Sequence, residues 1–257
     1  FFKEFVKRRA VREPLQYITG IREFWSLEFK VGHGVLIPRP ETEVLVEETL
    51  KEARGKEHGD RNQKQSEIRI LDLCTGCGCI AISLAKELAN LNVYAIDNSE
   101  VTLNIASQNA TKHKVDDRVT FLSGNLFQPL KGLNLSSPPL PSPSGGEGRV
   151  GGDSFDIVVS NPPYVRSKDI EGLEPEIKDF EPISALNGGE DGLDIIRSIA
   201  RNAPDYLKNG GSLIMEIAFD QAQDVEYIIM EKDAYTSVSI LKDYSGKDRV
   251  VKTRVKS

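Results

Sequence analysis

The sequence predicts an α/β fold built on one mostly parallel sheet. Two observations carry that expectation. From residue 68 onward, short apolar runs alternate with segments of helical periodicity. Strands that alternate with helices imply a parallel sheet covered on both faces. The chain has 257 residues, which at roughly 150 per domain is one large domain, or one domain with an appendage. Apolar residues are 39% and charged residues 28%, the balance of a soluble globular protein.

The elements follow in order. Residues 1–12 read as a basic amphipathic helix. Residues 24–37 alternate around Gly32-His33-Gly34 and predict a β-hairpin turning there. Residues 40–54 predict a helix, with Pro40 near its first position and acidic residues in its early turns. Residues 55–67 contain no aliphatic side chain and read as a polar linker. Strands are expected at 68–73, 93–97, 119–124, 155–160 and 212–218, with helices at 80–88, 101–112, 193–207 and 221–232. Gly210-Gly211 should break the chain between the 193–207 helix and the 212–218 strand. Two last strands, 237–243 and 249–255, are close enough for a hairpin, so that edge should be antiparallel. From Lys131 to Ser154, 15 of 24 residues are Pro, Gly or Ser. That composition predicts an unstructured insert between two core strands.

Composition also narrows the function classes. No apolar run approaches the ~20 residues that span a bilayer, and no charged-then-apolar leader opens the sequence. Neither a membrane nor secretion is expected. The net charge is −6, so the basic stripe of a dedicated nucleic-acid binder is not expected. The cysteines, Cys74, Cys77 and Cys79, fall in one stretch. That is no disulfide framework, and a reducing intracellular compartment fits it. Their spacing is ligand-like, but a closed zinc site wants four ligands and no histidine completes one. Small side chains filling tight positions are the simpler account. No Gly-x-Ser-x-Gly elbow supports a hydrolase.

Two motifs carry chemistry. The first is Asp72-Leu-Cys-Thr-Gly-Cys-Gly-Cys79, between a strand and a helix. Gly76 and Gly78 let the backbone turn tightly and approach a ligand. Asp97 ends the next strand, where a carboxylate accepts both ribose hydroxyls of an adenosine-type cofactor. NAD and S-adenosylmethionine sites share this geometry, and the motif alone does not separate them. The second is Asn161-Pro162-Pro163-Tyr164, directly after the apolar strand 155–160. Two prolines fix the backbone and have no N–H to donate. The Asn161 side-chain oxygen and the Pro162 carbonyl then face one planar NH₂ group as acceptors. Tyr164 is placed to stack on its flat face.

Together these motifs resemble class I S-adenosylmethionine-dependent methyltransferases that modify planar nitrogens. Ile37-Pro-Arg-Pro-Glu-Thr-Glu43 narrows the resemblance, with Pro14–Gly20, Glu23-Phe-Trp25, Asn187-Gly-Gly-Glu-Asp-Gly192 and Gly246-Lys-Asp-Arg-Val-Val251. The chain is similar to the HemK/PrmC family of release factor glutamine N5-methyltransferases, from about residue 5 to 254, interrupted by the insert. The resemblance implies a seven-stranded methyltransferase domain over 41–257, a β-hairpin linker over 21–40, and over 1–20 a remnant of an N-terminal helical substrate-recognition domain. It implies S-adenosylmethionine as cofactor, the Gly-Gly-Gln glutamine of class I release factors as substrate, and a site of action in the cytoplasm, or in an organellar matrix if the source is eukaryotic. Direct contact with nucleic acid is not implied. By resemblance, Cys74, Thr75, Gly76, Cys77 and Gly78 wrap the methionine part of the cofactor, and Asp97 holds the ribose. Asn125 and Leu126 meet the adenine. Asn161, Pro162, Pro163 and Tyr164 bind the glutamine amide, with Asn161 also beside the cofactor.

The chain departs from the family's pattern at Cys74 and Cys79, where small residues are usual, and at Asn125 and Leu126, where an acidic and an aromatic residue are frequent. A side chain at 74 should narrow the pocket or force a different turn. Three rivals stand beside this reading. An adenine-N6 or guanine-N2 methyltransferase shares the Asn-Pro-Pro-Tyr logic, with a flipped base as substrate. A ribosomal-protein glutamine methyltransferase is nearer, though Arg39–Glu43 favours the release-factor group. A decayed, non-catalytic cofactor-binding module is the third.

Overall fold

The computed structural model describes residues 2–57, 67–131 and 154–257. The insert expected at 131–154 therefore lies outside the described residues except for its two ends. So does most of the expected polar linker. The part of that linker that is described is a correction: helix α3, Glu43–Glu57, runs through residues 55–57.

Seven strands form the main sheet: β3 (Ile68–Leu73), β4 (Leu91–Asp97), β5 (Val119–Ser123), β6 (Phe155–Ser160), β7 (Leu207–Glu216), β8 (Tyr235–Lys242) and β9 (Asp248–Val255). Their order is β5-β4-β3-β6-β7-β9-β8. The first five are parallel, and β9 pairs antiparallel with both β7 and β8. Alternate residues along the central strands enter two different cores. Ile70, Ile157, Val159 and Ile214 pack on one face; Leu71, Leu73, Val158, Leu213 and Met215 pack on the other. Helices α3 and α4 (Cys79–Glu87) cover the first face; α7 (Asp194–Asn202) and α8 (Ala222–Met230) cover the second. Burial on both faces explains why these strands read as near-continuous apolar runs. Helix α5 (Glu100–His113) starts at a cap, with Ser99 Oγ accepting from the Thr102 N–H.

The front end holds α1 (Phe2–Ala10), α2 (Leu15–Thr19), β1 (Ile21–Phe24) and β2 (Leu27–Lys30). Its hairpin is not where the alternation put it. Phe24 pairs with Leu27, so the turn is Trp25-Ser26 and not Gly32-His33-Gly34. Both turn residues sit in the left-handed region, at φ 52° and 55°, the geometry of a two-residue hairpin turn. Tertiary contacts hold this turn without glycine. Phe24 and Phe29 are buried, and the Trp25 N–H donates to Glu43 Oε1 at 2.9 Å. A second correction concerns β7. The expected 193–207 helix ends at Asn202, and the strand begins at Leu207, taking Gly210 and Gly211 into itself. The register against β6 jumps from Phe155–Leu207 to Ile157–Ser212, so the glycines form a bulge rather than a break. Among the described residues, no helix is long and apolar enough to cross a membrane. A short helix, α6 (Pro175–Lys178), lies in the connection between β6 and α7.

Candidate active site

Strand β3 leads to β4 on one side of the sheet and pairs with β6 on the other. The chain therefore diverges at the carboxyl ends of β3 and β6, where α/β sheets open a ligand crevice. A cleft lies there, about 1040 Å³ counted to its open mouth.

The loop after β3 forms its floor. Cys74 takes φ 60° and Gly76 φ 58°. The side chain at 74 lines the cleft from this left-handed turn. Burial pushes the Cys74 thiol up to about 12, so it is neutral at ordinary pH. Gly78, at φ 82°, opens α4, and a Cβ there would come within 2.9 Å of Ile82 Cδ1. Cys77 and Cys79 are buried in the apolar core beneath the loop. Thr75 Oγ1 donates to Asp72 Oδ2 at 2.7 Å. Asp72 is fully buried, its Oδ1 has no hydrogen-bond partner among the described residues, and burial pushes its carboxyl up to about 7.

Asp97 ends β4 on the adjoining wall. Its Oδ2 accepts from the Gly76 N–H and its Oδ1 from the Ser99 N–H, each at 3.0 Å. Burial raises its carboxyl above the ordinary range. Asn125 and Leu126 follow β5 and line the same cleft, Leu126 at φ 47°.

Asn161 and Pro163 form the opposite wall, beyond β6. Pro162 is buried. Gly78, Pro162 and Tyr164 do not themselves line the cleft; the other nine residues expected at the site do. Tyr164 turns its hydroxyl to Glu216 Oε1, at 3.0 Å. The glycine motif after residue 187 buttresses this segment. The Gly188 N–H donates to the Val165 carbonyl at 2.8 Å. A Cβ on Gly188 would come within 2.7 Å of the Pro163 carbonyl, and one on Gly192 within 2.4 Å of the Tyr164 carbonyl. Backbone meets backbone there, and only glycine fits.

Sequence reasoning did not identify four further residues. Arg39 lines the cleft and donates to the buried Glu181 at 2.6 Å. Thr42, also on the wall, accepts from Asn161 Nδ2 at 3.2 Å. Glu216 is the fourth. A partial signal existed, since Arg39 and Thr42 belong to the quoted Ile37–Glu43 segment. Their partners lie 119 to 142 positions away.

Comparison with known proteins gives the family. Residues 64–251 match a family described as a methyltransferase domain. The chain is 40% identical over 249 residues to a release factor glutamine methyltransferase of Thermodesulfovibrio yellowstonii, covering 97% of this chain and 79% of that one. It is 40% identical over 250 residues to the enzyme of the same name in Geobacter sulfurreducens, covering 97% and 76%. Among solved structures, a methyltransferase from Pyrococcus furiosus superposes with a TM-score of 0.57 at 17% identity, covering 98% of each chain. That last likeness concerns the fold alone.

Proposed function

The chain belongs to the release factor glutamine methyltransferase family, and from that premise we propose that it methylates the side-chain amide nitrogen of the glutamine in the Gly-Gly-Gln motif of class I release factors, with S-adenosylmethionine as methyl donor. The observation that carries the proposal is the Asn161 amide. Its nitrogen is engaged by Thr42, which leaves its oxygen free to accept from a ligand in the cleft that Asn161 and Asp97 both line.

The residues present fit the cofactor. A Cβ on Gly76 would meet no protein atom within 4 Å, although Gly76 lines the cleft, so that space is kept for a ligand. Each Asp97 oxygen spends one lone pair on a backbone N–H, and a carboxylate has about four such sites. Two remain for a pair of hydroxyls. Asp72 and Asp97 are carboxyls raised by burial, and a positive charge nearby favours their ionised forms. The 74–78 loop, Asp97, Asn125 and Leu126 would hold the cofactor. When bound, S-adenosylmethionine supplies an electrophilic methyl group on a sulfonium.

An amide nitrogen is a poor nucleophile because its lone pair is delocalised. The chain's part is therefore positioning. Asn161 Oδ1 accepts a hydrogen of the glutamine NH₂ and turns its nitrogen face toward the donor; the Pro162 carbonyl, expected as the second acceptor, is not on the cleft surface. The Tyr164 hydroxyl is held by Glu216. Holding reactants in line supplies roughly 7–11 kcal/mol in favourable cases. No His, Asp or Glu adjoins the motif in the sequence, and the surplus amide proton leaves to water after transfer. The exposed apolar side chains of the front segment, Phe2, Val6 and Val11, offer a surface for the protein substrate. The reaction belongs where translation occurs, in the cytoplasm, and does not require contact with nucleic acid.

The test is transfer of labelled methyl from S-adenosylmethionine, with purified release factor, ribosomal protein, tRNA and DNA offered side by side. Label is expected in release factor and lost when its Gly-Gly-Gln glutamine is replaced. Label in DNA, tRNA or ribosomal protein, with none in release factor, overturns the assignment.

A further inference from the structure

The cleft holds a cation that the chemistry above does not use. Among the described residues that line it, Asp97 is the one anion and Arg39 the one cation. Asp97 is occupied by two backbone N–H groups and the proposed ribose. Arg39 is paired with the buried Glu181, and that bond uses only part of it.

Arg39 stands between Pro38 and Pro40. A residue before proline is held extended, and Arg39 is, at φ −97° and ψ 143°. Its Nη2 donates to Glu181 Oε1 at 2.6 Å. The other Glu181 oxygen accepts from the Ile37 N–H at 3.4 Å. The guanidinium is therefore fixed both at its root and at one nitrogen. It carries five N–H donors in a planar fork. Nε and Nη1 have no hydrogen-bond partner among the described residues, and 30% of the side chain stays exposed. Whichever hydrogen Nη2 gives to Glu181, one two-pronged face of the fork stays whole. The geometric complement of that face is a carboxylate.

Position selects which carboxylate. The Thr42 N–H donates to the Arg39 carbonyl at 3.1 Å, and Thr42 Oγ1 accepts from Asn161 Nδ2 at 3.2 Å. Arg39 thus belongs to the wall of Asn161, beside the proposed methyl transfer. The sulfonium of S-adenosylmethionine is joined there by a short aliphatic chain to an α-amino acid. Its carboxylate must give up water on entering, and an unpaired charge in an enclosed site is costly. The substrate glutamine is a neutral amide and makes no such demand. Resting on the cofactor placement above, we propose that Arg39 binds the α-carboxylate of S-adenosylmethionine and so selects the amino-acid end of the cofactor. Glu181 is a positioning residue: it holds Nη2 and leaves the remaining donors to the ligand.

The experiment is titration calorimetry with S-adenosylmethionine and with its decarboxylated form, which keeps the adenosine, sulfonium and amine and lacks only the carboxylate. Wild type is compared with Arg39→Gln and with the double variant Arg39→Gln/Glu181→Gln, which leaves no buried charge unpaired; melting is read alongside. In both variants the affinity for S-adenosylmethionine should fall about tenfold or more, the scale of hydrogen bonds to a charged group. The decarboxylated ligand, a cation throughout, should bind as well as before or better, because a repelling charge is gone. Equal loss for both ligands would mean that Arg39 only shapes the wall, and would overturn the proposal. Unchanged affinity for S-adenosylmethionine overturns it too, and with a raised KM for release factor it assigns the guanidinium to the protein substrate. Asp97→Ala separates this inference from the cofactor placement, since it should weaken both ligands alike. If it weakens neither while the Arg39 variants behave as expected, only the ribose assignment fails.

Discussion

Replacing Asp97 by alanine removes the carboxylate proposed to hold the cofactor's ribose. In the structure each of its oxygens already accepts one backbone N–H, from Gly76 and Ser99, at 3.0 Å. The lone pairs left over suffice for two hydroxyls. Hydrogen bonds to a charged group are worth about 1.5–3 kcal/mol each. Water competes at a half-buried residue, so the pair together should contribute about 1.5–3 kcal/mol. That predicts a dissociation constant for S-adenosylmethionine raised roughly 10- to 150-fold. Stability should fall less, because the freed N–H groups are partly exposed and can take water. Asp97→Asn is not a benign control. Both fixed partners are donors, so the new NH₂ must oppose one of them, and its affinity should fall at least as far. The pH dependence follows from the raised carboxyl. The ionised form binds the hydroxyls better, so affinity is complete above the folded-state value and is lost as pH falls through it. Titration calorimetry with S-adenosylmethionine, beside melting of the free protein, reads these effects. An unchanged affinity in Asp97→Ala would show that Asp97 is a loop fastener only and that the ribose lies elsewhere.

Three further outcomes are expected. Asn161→Ala removes the acceptor facing the glutamine and should cost at least ~2.7 kcal/mol in the transition state, about 100-fold in turnover, by analogy with deleted oxyanion-hole donors; near-normal turnover with unchanged melting refutes the amide clamp. Gly78→Ala forces a Cβ to 2.9 Å from Ile82 Cδ1 and 3.3 Å from Ala106 Cβ at φ 82°. Left-handed strain of ~1–2 kcal/mol adds to crowding of ~1–3 kcal/mol, and a urea-denaturation loss under about 1 kcal/mol contradicts the packing described. Glu52 is buried, yet its carboxyl lies at about 2, because Lys252, Ser212 and Arg254 more than offset desolvation. Its stabilisation is present above the ordinary value of 4.5 and is lost as pH falls through about 2. Glu52→Gln should therefore cost about 2 kcal/mol at pH 7, discounted because its cationic partners are partly solvated. The gap to wild type should narrow in acid, and a gap that does not change with pH would assign the effect to packing.

How far the molecule is legible in its sequence depends on whether the deciding forces are local. β3 and β6 lie where their apolar runs stand, because strands buried on both faces advertise themselves. Asp97 and Asn161 are legible for another reason: each stands at a strand end within an unusual local motif. The front hairpin is not legible. Alternation and two glycines point to residues 32–34, but the turn is fixed by burial of Phe24 and Phe29 and by Glu43 reaching the Trp25 N–H. Glu43 is 18 positions away from that N–H, and no local pattern encodes the distance. The same holds at the cleft wall. Thr42 and Glu216 carry no signature beyond their types, and the bond from Asn161 to Thr42 spans 119 positions. One trace was nonetheless available. Glu216 is the single charged residue in the run Ser212–Ile217, which is otherwise apolar after its first residue. A carboxylate at the carboxyl end of a central strand is costly to bury unless it is partnered. Its position beside the switch point already implies that its partners belong to the site. Ile37–Glu43 holds three long-range hydrogen bonds: Arg39 donates to Glu181, Thr42 accepts from Asn161, and Glu43 accepts from the Trp25 N–H. One short segment thus reaches the front hairpin, the Glu181 wall and Asn161 through three separate long-range bonds, and none of these pairings could be read from the segment's own pattern.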